Sequence, residues 1–509
     1  MNPIKAAFSP RRQRMLWVIL SILLQLGLVL GVLFCFNQYF VYFYWLSILV
    51  SAAVALYIST RSTKLAYKVA WIVPILLVPV VGGLLYIFLG GVRRLSFQRS
   101  DAQRVYRKEL PQQLDNLALL RYGSDAAQQA LYLQNAGPCP TYGHTQTEYF
   151  SSGKAFFPAF LEELGKAERY IFLEYFIIAE GSMWQEILAI LEEKVQQGVE
   201  VRVIYDGIGS ANTLDEDYAE ELEARGIHCR PFHPFLPILS IHQNNRDHRK
   251  LCVIDGVTGF VSGLNLADEY IDRLRRFGYW KDNALLLRGA AVWSLTVFFL
   301  TMWDDHHSRS DYARFRPAAL PDLESVQGVV TPYADTPFPE DTICADLHLQ
   351  MITKAKNYLF LTTPYLVLDE TLSAALCTAA RSGVDVRVMT PHIPDKKTVF
   401  AVTRSNYPAL LRAGVQIFEF TPGFLHSKTV VADDLYASVG SCNLDYRSFY
   451  LQFENGVWLC GTDTVEAVRD DFLETIPLCQ EITLEDCRRA QRPLRRLMTA
   501  LYRLFSPLF

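Results

Sequence analysis

The apolar positions of the chain fall into two regimes, with the change near Arg93. Before it, three long apolar runs follow one another. Met15 to Phe36 and Val41 to Ile58 contain no charged residue, and Ala70 to Leu89 is interrupted by Pro74, Pro79, Gly82 and Gly83. The first two have the length a bilayer core asks of a helix, roughly twenty residues, and are expected as transmembrane helices. The third is expected as a re-entrant or interfacial segment, with a plain third span as the alternative, because broken backbone enters a bilayer only where protein or water covers it. Lys5, Arg11, Arg12 and Arg14 precede the first run, and Arg61, Lys64 and Lys68 follow the second. The positive-inside rule then places both flanks in the cytoplasm.

Beyond Arg93 the apolar runs shorten to strand length and repeat. Arg169-Tyr-Ile-Phe-Leu-Glu-Tyr-Phe176 resembles Asn357-Tyr-Leu-Phe-Leu-Thr-Thr-Pro-Tyr365. Both read as buried strands, and a helical stretch follows each. Gly198-Val-Glu-Val-Arg-Val203 then matches Gly383-Val-Asp-Val-Arg-Val388, and Arg225-Gly-Ile matches Ala413-Gly-Val. One strand–helix–strand unit is thus used twice in the same order, which predicts an α/β layered body of two pseudo-symmetric halves. The proline-rich stretch from Arg314 to Pro339 reads as the linker between them. The expected division is a membrane anchor over 1–100, a linker over 101–130, a first half over 131–315, a linker over 316–340, a second half over 341–485 and a tail over 486–509.

Charge sharpens this division. The chain has a net charge of −4, yet its first 100 residues carry ten Lys or Arg and no Asp or Glu. A basic apolar end on an acidic body suits a membrane anchor bearing a soluble domain, and argues against a nucleic-acid binder. In the tail, Arg488, Arg489, Arg492, Arg495, Arg496 and Arg503 interleave with Leu494, Leu497, Leu501, Leu504 and Phe505. That pattern suits a helix on an anionic membrane surface, or one that caps the domain. The ten cysteines show no CxxC pair and read as reduced core thiols, which favours a body facing the cytoplasm.

The repeat ends, in each half, on the same chemistry. His248-Arg-Lys250-Leu-Cys-Val-Ile-Asp255 is followed by Ser262-Gly263-Leu264-Asn265. His426-Ser-Lys428-Thr-Val-Val-Ala-Asp433 is followed at the same spacing by Gly440-Ser441-Cys442-Asn443. In a strand, residues i and i+2 share a face, so each His projects beside its Lys. Two lysines can neutralise phosphoryl oxygens while two imidazoles attack and protonate from opposite sides. Ser441 can add a donor, and its counterpart is Gly263. Asp282 and Glu454 follow their motifs in the contexts Lys-Asp-Asn and Phe-Glu-Asn. No carboxylate–His cluster has metal spacing, so neither a metal nor another cofactor is expected. His233, His242 and His392 read as ordinary surface residues, and Trp280 and Tyr365 as core aromatics.

The paired His-x-Lys-x4-Asp motifs resemble those of the phospholipase D superfamily. The Pro79-Val-Val-Gly-Gly-Leu-Leu-Tyr86 segment, Asn265-Leu-Ala-Asp-Glu-Tyr270 and Arg503-Leu-Phe-Ser-Pro-Leu508 resemble, more narrowly, the bacterial cardiolipin synthases. The resemblance implies two phospholipase D-type α/β sandwich halves sharing one active site on a multi-pass bacterial plasma-membrane protein. It implies transfer of a phosphatidyl group between two phosphatidylglycerols, giving cardiolipin and glycerol. His248 would be the nucleophile, passing through a phosphohistidine, and His426 the acid and then the base. Lys250, Lys428, Asn265 and Asn443 would face the phosphoryl oxygens, and Asp282 and Glu454 would orient the imidazoles. Asp255 and Asp433 complete the motifs, in supporting or structural positions. Water, serine or phosphatidylethanolamine in place of the second lipid would give a phospholipase or another phosphatidyltransferase. A scaffold that kept the fold without the chemistry would have lost a motif His or Lys, and all four are present.

Overall fold

The computed structural model describes residues 40–61, 64–89, 96–111, 119–233, 245–304, 310–337, 342–489 and 493–506, with a few positions between 20 and 31. The expected first span therefore lies outside the described residues for most of its length, as does His242. The chain enters on α1 (Phe40–Ser59), α2 (Leu65–Leu77) and α3 (Pro79–Leu89). Then come α4 (Ser96–Glu109) and α5 (Ser124–Ala136).

The first half is β1 (Thr145–Phe150), α6 (Gly153–Gly165), β2 (Tyr170–Tyr175), α7 (Ser182–Gln196), β3 (Glu200–Asp206), α8 (Tyr218–Ala224), β4 (His228–Phe232), β5 (Arg246–Asp247), β6 (Lys250–Ile254), β7 (Thr258–Ser262), β8 (Tyr279–Lys281), β9 (Ala284–Gly289) and α9 (Val292–Trp303). The second half is β10 (Val329–Asp335), α10 (Ile343–Lys354), β11 (Tyr358–Thr362), β12 (Leu366–Val367), α11 (Glu370–Arg381), β13 (Asp385–Pro391), α12 (Lys397–Ala413), β14 (Gln416–Phe420), β15 (Gly423–Leu425), β16 (Thr429–Ala432), β17 (Tyr436–Gly440), β18 (Leu444–Asp445), α13 (Tyr446–Tyr450), β19 (Gln452–Cys460), α14 (Asp463–Thr475) and β20 (Cys479–Glu481). Helices α15 (Leu484–Arg489) and α16 (Pro493–Phe505) close the chain.

The two sheets have the same strand order. The first runs β1-β9-β7-β6-β2-β3-β4, and the second runs β10-β19-β17-β16-β11-β13-β14 with β20 added at the edge. In each, three strands are parallel and the motif-bearing strand joins them antiparallel, β6 on β2 and β16 on β11. Alternation along the strands explains why the sequence reads as solid apolar runs. Ile171 and Leu173 of β2 pack with Phe156, Trp184 and Leu191 of the helical layer, while Phe172 joins the other core with Val253 and Val261. Both faces of the sheet are covered, so neither can be polar.

The linkers expected over 101–130 and 316–340 differ from what the structure holds there. Most of α4 and α5 falls in the first, and Tyr106 of α4 packs its ring 5.1 Å from Phe298 of the body. The second contains β10, paired along its length with β19. Pro332 sits within that strand opposite Val457. A proline is tolerated there because β10 is an edge, where one side of the strand needs no donor.

The third apolar run is folded into a helical hairpin. The chain breaks at Val78 between α2 and α3, and the ring of Tyr86 returns to 5.5 Å from that of Trp71. Gly82 permits the bend, since a Cβ there would lie 2.5 Å from the Pro74 carbonyl oxygen. At about 1.5 Å per residue, neither arm reaches the ~30 Å of a bilayer core. Helix α1 carries no charged residue, but among the described residues no helix is long and apolar enough to cross a membrane.

Candidate active site

Two short strand pairs join the halves, and they build the site. β8 of the first half runs parallel to β15 of the second, and β5 of the first runs parallel to the start of β19 of the second. Gly423 makes the former contact possible, because a Cβ there would fall 2.0 Å from the Tyr279 carbonyl oxygen. Each junction ends one residue before a motif His on one strand and one residue before an acid on the other. The His248 backbone N–H donates to the Phe453 carbonyl at 2.9 Å, and that of His426 to the Lys281 carbonyl at 2.7 Å.

The acids therefore cross over. His248 Nδ1 lies 2.9 and 3.0 Å from the carboxylate oxygens of Glu454, and His426 Nδ1 lies 2.6 Å from Asp282 Oδ2. Each imidazole is oriented by a carboxylate of the other half, so neither half holds a complete site. The next residues repeat the pattern, as Asn455 Oδ1 accepts from the Lys250 backbone N–H and Asn283 Oδ1 from that of Lys428. Asn283 and Asn455 were not assigned from sequence. The signal was the repeated acid-Asn dipeptide.

The cluster is buried and positive. His248 and His426 are each 7 % exposed, Lys428 3 % and Lys250 not at all. Burial lowers the Lys250 ammonium to about 7 and that of Lys428 to about 8, despite the neighbouring carboxylates. Burial, with Lys428, likewise lowers His426 to about 4, and His248 falls well below the usual imidazole range for the same reason. Two buried ammonium groups beside two imidazoles are complementary to an anion. A phosphodiester is one that the two lysines could hold.

The acids differ. Burial raises Glu454 well above the carboxylate range, against the pull of Lys250 and of the Ser441 hydroxyl that donates to its Oε2 at 2.5 Å. Burial also opposes ionisation of Asp282, but Lys428 and His426 more than offset it and hold Asp282 below its ordinary value. The Gly263–Ser441 difference follows the acids. A Cβ at Gly263 would lie 2.3 Å from Asp282 Oδ1, whereas Ser441 bridges the longer Glu454.

The remaining sequence-derived residues divide. Asn265 is committed to the protein, its Oδ1 accepting from Ile177 N–H and its Nδ2 donating to the Tyr270 hydroxyl. Asn443 is buried, and its Oδ1 has no partner. Aromatics wall the imidazoles, with Phe176 5.0 Å from His248 and Tyr270, Trp280 and Phe424 5.5–5.7 Å from His426. Trp280 thus serves site and core together. Tyr365 is half-buried and donates its hydroxyl to Asp395. His392 pairs with Glu419.

Asp255 and Asp433 stand apart from the cluster, so although they belong to the catalytic motifs their place is a supporting one. Each adopts a left-handed conformation, φ 54° and 58°, at the far end of its motif strand. The Asp255 carboxylate accepts the backbone N–H groups of Glu168, Arg169 and Tyr170, and Asp433 those of Lys356, Asn357 and Tyr358. They tie β6 to β2 and β16 to β11. Asp255→Ala is expected to cost roughly 2–4 kcal/mol of stability, read by thermal unfolding, because three donors lose a charged acceptor. Turnover per folded molecule should stay near wild type. A specific loss of turnover at unchanged melting temperature would contradict this.

Fold and paired site define a phospholipase D-like protein, in which two duplicated halves complete one phosphodiester-handling centre. A family profile described as "Cardiolipin synthase, PLD-like domain" matches residues 160–276 and 348–476, and one described as "Phospholipase D-nuclease N-terminal" matches residues 45–91. An uncharacterized protein of Streptococcus mutans is 41% identical over 86% of this chain and 96% of its own length. A cardiolipin synthase of Geobacillus kaustophilus is 39% identical over 91% of this chain and 93% of its own length. The chain belongs to the cardiolipin synthase family. Among solved structures, a phosphatidylserine synthase of Haemophilus influenzae shares the fold at a TM-score of 0.58 and 16% identity, covering 76% of this chain and all of that one.

Proposed function

We propose that this enzyme transfers a phosphatidyl group from one phosphatidylglycerol to another at the bacterial plasma membrane, giving cardiolipin and glycerol. The observation that carries the reading is the crossed pairing of two imidazoles with two acids around two buried lysines. Nδ1 of each His faces its acid, so Nε2 is the nitrogen left for chemistry. His248 Nε2 attacks phosphorus and the bond to glycerol breaks, with His426 donating the proton to the departing oxygen. The terminal hydroxyl of a second phosphatidylglycerol then gives a proton to His426 and attacks the phosphohistidine, releasing His248. Lys250 and Lys428 offset charge on the non-bridging oxygens. Asn443 supplies its amide on the second-half side, and Asn265 acts only through Tyr270 and the Ile177 backbone.

The unequal acids support the division of labour. An ionised Asp282 favours imidazolium at His426, and a bound phosphodiester adds to this by offsetting Lys428 and Lys250, whose charges otherwise lower His426. A raised Glu454 suits a group that takes the Nδ1 proton when phosphorylation at Nε2 would leave the His248 ring cationic. The direct test is purified protein in mixed micelles with phosphatidylglycerol as the sole lipid. Cardiolipin and glycerol should appear in equal amounts. Phosphatidic acid alone would reduce the enzyme to a phospholipase.

Binding should also depend on pH. Lys250 near 7 and Lys428 near 8 must be protonated to pair with an anion, and the bound anion raises both. Affinity is therefore complete below the lower value and falls as pH rises, by up to about tenfold per unit for each lysine linked. A dialkyl phosphate inhibitor, whose own charge is constant in this range, checks it. A flat inhibition profile across neutral and alkaline pH would count against the lysines as the anion-binding pair.

A further inference from the structure

The C-terminal helix shows its apolar side to the outside. At 100° per residue, α16 places Leu497, Met498, Leu501, Leu504 and Phe505 on one side and Arg503 on the other. A helix of a globular domain turns such a stripe toward the core. Here the middle of the stripe faces away, with Leu497 61 %, Met498 40 % and Leu501 44 % exposed. The helix is held by its flank instead. Tyr502 packs in a small cluster with Ala66 of α2, Val399 and Val402 of α12, and Tyr446 and Tyr450 of α13.

Two further features identify what covers that face. Helix α16 lies beside α2, whose Leu65, Leu76 and Leu77 are also exposed, so the apolar surface continues onto the hairpin. No acidic residue follows Asp486, while six arginines do. An anionic lipid surface complements both properties. A second copy of the chain does not, since a two-fold contact would bring like arginines together.

We propose that α16 docks by Leu497, Met498 and Leu501 on an anionic lipid surface beside the hairpin, and so holds the second-half end of the site against the bilayer. The link is short. Asn443 is followed by β18 and then by Tyr446, which packs in the same cluster as Tyr502. The docking goes beyond the proposed reaction and does not depend on which acceptor the enzyme uses.

The test places the full-length protein in phosphatidylcholine vesicles with or without phosphatidylglycerol and follows amide hydrogen exchange over residues 493–506. Exchange should slow by about tenfold or more when the anionic lipid is present, given a factor of roughly five per surface arginine. Leu497→Asn with Leu501→Asn should abolish that difference. It should cut turnover of vesicle-borne lipid while leaving turnover in detergent micelles unchanged. Equal exchange in both vesicles overturns the proposal, and so does an equal loss in vesicles and micelles. A change in subunit number in the double variant also overturns it, since the face would then join copies. Failure of the wild-type protein to make cardiolipin would leave the exchange result standing, and would count against the reaction only.

Discussion

A His426→Ala protein given a phosphatidyl ester of p-nitrophenol should release one equivalent of nitrophenolate and then stop, with the phosphatidyl label on His248. Nitrophenolate leaves without a proton, so the first displacement does not need His426. The second step does, because the acceptor hydroxyl of a lipid is a poor nucleophile until a base takes its proton. With phosphatidylglycerol itself the same variant should lose a factor on the order of 10²–10⁴, about 3–5 kcal/mol of barrier, in both directions of proton transfer. His248→Ala should neither release nitrophenolate nor carry label, a loss on the order of 10⁵ or more. The geometry makes this a sharp test, since both imidazoles are equally buried and both have Nδ1 at an acid. Label on His426 in the His248→Ala protein would reverse the roles.

How far the sequence revealed this site depended on distance along the chain. The duplicated strands were legible for two reasons: β2 and β11 are central and buried along almost their whole length, and β3 and β13 share the same alternation of half-buried charged and buried apolar residues at their starts. His and Lys were legible because a spacing of two fixes a shared face. The edge strands β1 and β10 were not read, and Pro332 disguised β10 as linker. The crossing of the acids was also hidden. Glu454 meets His248 across 206 residues and Asp282 meets His426 across 144, and nothing local indicates that each acid serves the other half. Asp255 and Asp433 show the converse. Their place in a motif gave only a supporting or structural position, and what they support became visible in their left-handed backbone and the three N–H groups each accepts, which make them strand clamps.

Because the acids differ, removing their charges should have different signatures. Asp282→Asn keeps the shape but cannot stabilise imidazolium at His426. Turnover of phosphatidylglycerol should fall on the order of 10²–10⁴, as when an orienting carboxylate is lost from an imidazole-based site. The nitrophenyl ester should restore the first step, because its leaving group asks for no proton. Glu454→Gln fails differently. The amide cannot accept the Nδ1 proton of His248, so the phosphohistidine stays cationic and short-lived, and the loss should appear with both substrates. The backbone supports for this comparison are matched, since Asn283 and Asn455 fix the two lysine strands alike. Initial bursts of nitrophenolate measured for the two variants side by side decide it. A normal burst in Asp282→Asn with none in Glu454→Gln fits the division of roles, and equal bursts would mean that the two acids are interchangeable.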